Sequence, residues 1–187
     1  TGVRFVNTWI HGAHINVADE KMSKSLGNFL TLRDILTSSC DAQAFRYLVV
    51  SSHYRTAFNF SREVLEGAKR TMRHLKNFRM RLKEVETAYG TNDVLELVVE
   101  ARKKFVHHMN DDLNSPRAIA AVFELVNGVE SFMNRDEVDT GGAKTVDVFL
   151  DEVDKVLGIF YTLPGDEREA ALNTELQILI AEREKAR

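Results

Sequence analysis

Residues 61–83 read SREVLEGAKRTMRHLKNFRMRLK, and their spacing decides the fold class. Leu65, Ala68, Met72, Leu75, Phe78 and Leu82 recur at intervals of three and four, the repeat of one helix face. Ser61 is a good N-cap, so the pattern predicts a helix from there to about Val85 with that stripe buried. The other faces carry Arg62, Lys69, Arg70, Arg73, Lys76, Arg79, Arg81 and Lys83, against Glu63 and Glu66 only. A helix with one apolar stripe needs partners to cover it.

The downstream sequence supplies them. Gly90 ends the segment, and Thr91 or Asn92 opens a helix over 93–109 that buries Val94, Val98, Ala101, Phe105 and Met109. Asn114 or Ser115 caps the next, with Pro116 in its first turn, reaching about Asn134. Residues 136–142 read as a linker, 144–159 as a further helix, Pro164 and Gly165 as a turn, and 167 onward as a last helix. Five helices with short connections make a helical bundle.

Upstream the pattern changes. Residues 3–10 and 13–17 mix β-branched and aromatic residues around Gly12 and predict two short strands. Residues 19–28 form a polar loop rich in lysine and serine. Thr31 and Asp34 suggest a capping box opening a short helix that ends near Ser38. Asp41 then caps a helix in which Phe45, Leu48 and Val49 share a face.

Composition excludes several classes. The chain has 187 residues, 44% of them apolar and 28% charged, as in a soluble globular protein. No apolar run approaches the roughly 18 residues of a membrane span. The single cysteine, Cys40, rules out a disulfide framework or a cysteine-only zinc site made by this chain, and suits a reducing compartment. It reads as small and buried or half-exposed. The missing initiator methionine and the end inside a charged, helix-like run read as a piece of a longer protein. Through Lys83 there are 14 Lys/Arg against 6 Asp/Glu, a balance of +8; the remaining 11 against 22 give −11, and the two sum to −3. Such asymmetry suits a front half facing a polyanion.

Lys21-Met22-Ser23-Lys24-Ser25 carries the chemistry. Two ammonium groups and two hydroxyls on a loop form a cationic, donor-rich hook for a phosphate chain. A solvated Lys/Ser loop is the bland alternative. Composition, however, would yield this pentapeptide in such a chain on the order of once in ten thousand trials.

The pentapeptide resembles the second signature of class I aminoacyl-tRNA synthetases. The blocks EKMSKSLGNF (20–29), TLRDIL, DAQAFRYLVVSSHYR, FNFS and DDLNSP (111–116) resemble cysteinyl-tRNA synthetases, and DAQAFR (41–46) resembles the motif naming the DALR bundle domain. The resemblance implies a mainly α chain: the end of a Rossmann-like class I catalytic domain over 1–60, then an antiparallel, anticodon-binding type of helical bundle over 61–187. It implies a cytoplasmic, monomeric ligase that activates cysteine with ATP and transfers it to tRNA(Cys). Lys21, Met22, Ser23, Lys24 and Ser25 would bind ATP, and Lys21 and Lys24 would act in catalysis. The other ATP signature and the zinc ligands would lie upstream, leaving no metal on this chain and leaving the fragment alone inactive.

Other candidates carry two readings each. Tyr54 and Arg55 could pack and pair with a carboxylate, or face the inner bend of tRNA. Lys69, Arg73, Lys76 and Lys83 could be a solvated face or a row of phosphate contacts. His107, His108, Asp111 and Asp112 have metal-like spacing, but adjacent histidines cannot share a helix face, which favours capping and solvent exposure. Trp9 reads as core and His11 as able to face the ATP pocket. Two other functions fit parts of the pattern. One is a ligase joining cysteine to an amino-sugar; the other is a non-catalytic tRNA-binding module.

Overall fold

A computed structural model describes residues 2–17, 20–23 and 27–160. The predicted turn at Pro164 and the helix from 167 lie outside the described residues. Strand β1 (Ile15–Val17) pairs antiparallel with β2 (Glu20–Lys21) and parallel with β3 (Phe58–Phe60), giving the order β2-β1-β3. In register, Asn16 faces Lys21 and Val17 faces Phe60. Between β2 and β3 lie α1 (Leu32–Ile35) and α2 (Ser39–Val50). Four longer helices follow: α3 (Arg62–Lys83), α4 (Asp93–Asn110), α5 (Ser115–Met133) and α6 (Thr140–Leu157).

The bundle follows its sequence pattern. All six predicted stripe residues of α3 are buried, and Ser61 caps it, its hydroxyl accepting from the Val64 N–H. Asn92 and Asn114 are the caps of α4 and α5. Met109, expected in the core, is only half-buried at the end of α4. Helix α4 packs along α5, α3 and α6 close the bundle, and α2 lies along α3. Its centre holds Leu75, Phe78, Leu125, Val126, Phe149, Leu150 and Val153, all essentially inaccessible to water. None of the described helices is long and apolar enough to cross a membrane.

Elsewhere the local details differ from expectation. Residues 3–10 form no strand: a strand needs a neighbour, and only β1–β3 pair among the described residues. Trp9 is 66% exposed rather than in the core, and its ring stacks on His11. Helix α1 stops at Ile35, short of Ser38. Ser38, not Asp41, is the N-cap of α2, and Asp41 is the reciprocal acidic member of the box three residues on. Val49 turns outward while Ala44 and Leu48 face the core. Helix α6 starts at Thr140, four residues early, because the Asp139 carboxylate accepts from the Gly142 N–H at 2.6 Å and caps it. It ends on Gly158, whose φ of +62° is the left-handed stop that glycine takes without strain. There Arg46 reaches across from α2, its Nε donating to the Leu157 carbonyl at 2.7 Å.

Candidate functional site

The polar loop leaves β2 at Lys21 and returns at Asn28. Both ends are described, whereas Lys24 and Ser25 lie outside the described residues. The Asn28 side chain bridges the neck: its Oδ1 accepts from the Ser23 N–H at 2.7 Å and its Nδ2 donates to the Lys21 carbonyl at 3.2 Å. Met22, between these two contacts, lines an apolar cavity of about 170 Å³ with Ile15 and Val17 of β1, Ile35 of α1, Phe45 of α2 and Phe60 of β3. Lys21 stays exposed beside it. The loop is therefore mounted on the small sheet through its methionine and held at its mouth by an amide. His11 is exposed and stacked on Trp9.

The candidate RNA-facing cations fall into three groups by their partners among the described residues. Tyr54 and Arg55 converge on Asp112 at the α4–α5 corner. The tyrosine hydroxyl donates at 2.6 Å, Arg55 Nε at 2.7 Å and its Nη2 at 3.1 Å. These hydrogen bonds from Arg55 and Tyr54 hold the Asp112 carboxyl down at about 2. His53 stacks on Tyr54, with its Nε2 at 3.9 Å from the same carboxylate. Asp112 and Leu113 both adopt positive φ, 54° and 52°, which turns the chain sharply between the helices.

Lys69 forms the second group. Its ammonium pairs with Asp41 and, at 2.8 Å, with Glu66. Asp41 is 1% exposed, and its Oδ2 accepts from Thr37 N, Thr37 Oγ1 and Ser38 N at 2.7–2.9 Å. Burial pushes this carboxyl up, but the bonds from Lys69, Thr37 and Ser38 outweigh it and keep the group well below the ordinary range. Arg79 and Arg81 are partnered likewise, Arg79 with Asp147 and Asp151 of α6 and Arg81 with Glu130 and Asn134.

The third group is Arg73, Lys76 and Lys83, exposed and without an ion pair among the described residues. Lys76 and Lys83 line a groove of about 510 Å³ between α3 and α6 together with Arg79, Asp147, Asp151 and Asp154. No group of three His, Cys, Asp or Glu among the described residues could hold a metal. Of the histidine–aspartate set, Asp112 is committed to Tyr54 and Arg55, and His107 and His108 lie in the last turn of α4. Cys40 is exposed in the first turn of α2, not buried.

Sequence reasoning missed Asn28, Asp41 and Asp112 as the partners of these groups. Asp41 had a local signal, the Ser-x-x-Asp spacing from Ser38. Asp112 had none, since it lies 57 residues from Arg55.

Residues 1–70 match the class I (C) tRNA-synthetase catalytic domain, and residues 104–161 match the DALR domain. Residues 41–46, which suggested the DALR motif, fall inside the first match and not the second. The whole chain is 36% identical to a cysteine–tRNA ligase of Protochlamydia amoebophila, of which it covers 38%. It is 34% identical to those of Oenococcus oeni and Shouchella clausii, again over all of this chain and 40% of each relative. The chain thus spans about two-fifths of the length of these relatives.

Proposed function

We propose, from the match of residues 1–70 to the class I (C) tRNA-synthetase catalytic domain and of residues 104–161 to the DALR domain, that the chain belongs to a cytoplasmic cysteine–tRNA ligase. The carboxylate of cysteine attacks the α-phosphorus of ATP, the α–β anhydride breaks, and pyrophosphate leaves. A hydroxyl of the terminal ribose of tRNA then attacks the activated carbonyl and AMP departs. The observation that supports this reading is the Lys21–Ser25 pattern beginning on a sheet whose strand β3 runs directly into α3 of the bundle, with its start tied to Asn28.

In this reading Lys21, Met22, Ser23, Lys24 and Ser25 form the ATP-phosphate loop. Lys21 and Lys24 oppose the negative charge that grows on departing pyrophosphate, where a poised cation contributes most. Met22 seats the loop. The RNA-facing set is Tyr54, Arg55, Lys69, Arg73, Lys76 and Lys83. Within it Arg73, Lys76 and Lys83 make no ion pair among the described residues, which leaves them available for counterion release by a phosphate backbone. The zinc that the family resemblance implies finds no ligand set among the described residues, so no step is assigned to it here.

The test is cysteine-dependent ATP–pyrophosphate exchange and tRNA(Cys) charging by the full-length protein. Lys24→Ala should slow exchange on the order of a hundredfold or more, and a near-wild-type rate removes Lys24 from the catalytic set. Transfer of cysteine to an amino-sugar with no charging of tRNA would select the sugar ligase instead. The absence of exchange with intact tRNA binding would select the non-catalytic module.

A further inference from the structure

We infer that Asn28 is a positioning residue for the phosphate-binding segment: its amide ties residue 28 to the backbone of residues 21–23, from which Lys21 is presented. This rests on the reading of the loop given above.

The geometry is specific to an asparagine. A carboxamide offers an acceptor and a donor in one plane, and here both are used on one limb of the loop, at Ser23 N–H and Lys21 C=O. Bridging two positions with one residue between them pins Met22 toward the cavity beneath the sheet. The returning limb is prepared one residue earlier. Gly27 has φ +69°, and nothing lies within 4 Å of where a Cβ would stand, so glycine serves the backbone turn here and not a tight space. Alanine at position 28 would remove both of these contacts. Lys21 would then spread over many orientations, and the transition state would lose a cation held near it.

Pyrophosphate departs only in the activation step, so the two steps should respond differently. In full-length Asn28→Ala, cysteine-dependent ATP–pyrophosphate exchange should fall by about tenfold or more, the scale of two lost hydrogen bonds. The KM for cysteine should hold, as should single-turnover transfer from preformed adenylate to tRNA. Tryptic cleavage after Lys21 or Lys24 should quicken, with cleavage elsewhere and the thermal midpoint unchanged. Exchange at the wild-type rate overturns the proposal. An equal fall in both steps with a lowered midpoint also overturns it, since that is the mark of a structural role. If the wild-type protein shows no cysteine-dependent exchange, the reading of the loop fails instead. Proteolysis then decides the clamp by itself, and unchanged cleavage in Asn28→Ala refutes it.

Discussion

Replacing Lys69 by methionine removes an ammonium group and keeps most of the stem's apolar volume. The carboxylate left behind is Asp41, 1% exposed, with three donors on Oδ2 and the Lys69 ammonium facing Oδ1. Breaking a buried pair from one side costs about 3–5 kcal/mol, whereas a surface pair is worth under about 1. The Lys69 side chain is 20% exposed, so water reaches the cation but not the anion. The lower end of the buried range applies, about 3 kcal/mol. For a folded unit of this size that lowers the unfolding midpoint by about 6–12 °C, read by far-ultraviolet circular dichroism. Asp41→Asn in the same background should restore more than half of the loss, because it removes the stranded charge.

The pH dependence carries a sign. In the wild type the depressed carboxyl contributes stability at neutral pH, and that contribution is lost only as pH falls through its lowered pKa. Without Lys69, burial is opposed only by the Thr37 and Ser38 bonds and the carboxyl titrates higher, so acid relieves the variant first. The gap between variant and wild type should therefore narrow as pH falls through and below the ordinary carboxylate range. A midpoint drop under about 2 °C, or a gap that does not change with pH, would refute the reasoning.

Asp112→Asn should loosen the tie between residues 53–55 and the α4–α5 corner, seen as faster amide exchange in both segments at neutral pH. In the wild type that tie should survive acid until pH falls from the ordinary carboxylate range through about 2, where the Arg55 and Tyr54 bonds hold the carboxyl; loss already near pH 5 contradicts this. Gly158→Ala forces a side chain into φ +62° and places Cβ 2.8 Å from Arg46 Nε, so stability should fall by about 1–3 kcal/mol in urea unfolding. An unchanged urea midpoint would show that the helix stop and the Arg46 contact adjust freely. Replacing Arg73 and Lys76 together by glutamine should flatten the plot of log tRNA affinity against log salt by about 1.4–1.8 units. An unchanged slope moves the RNA contact elsewhere.

The α3 stripe was readable because a repeat near 3.6 survives in sequence, and because Ser61 marks its start chemically; its end at Glu84 carries no such signal, and Gly90 lies beyond it. Strand β3 was not. Phe58–Phe60 is three residues long, and its assignment depends on β1, more than forty positions upstream, lying parallel to it. The β-branched run at 3–10 misled for the converse reason, since propensity without a neighbour makes no ladder. The start of α6 was obscured by Gly141 and Gly142, which look like linker until Asp139 is recognised as a cap. At the site, Lys21–Ser25 was legible as a contiguous pattern. The partners of Lys69 and Arg55 were not, because they are brought together by helix packing across 28 and 57 positions.

The bond from Arg46 to the Leu157 carbonyl has a consequence for the order of assembly. During synthesis, Leu157 emerges 111 residues after Arg46. At about 5–20 residues per second that is a delay on the order of 5–20 s. Over that interval α2 can settle on α3, and α4 can fold back on α5 across a four-residue corner, both at small loop-closure cost. The guanidinium acquires its acceptor only when the last turn of α6 is in place. The front of the molecule, made first, thus gains this tether last, and a nascent chain cut short before the end of α6 has α2 seated on α3 with the Arg46 guanidinium still without its Leu157 acceptor.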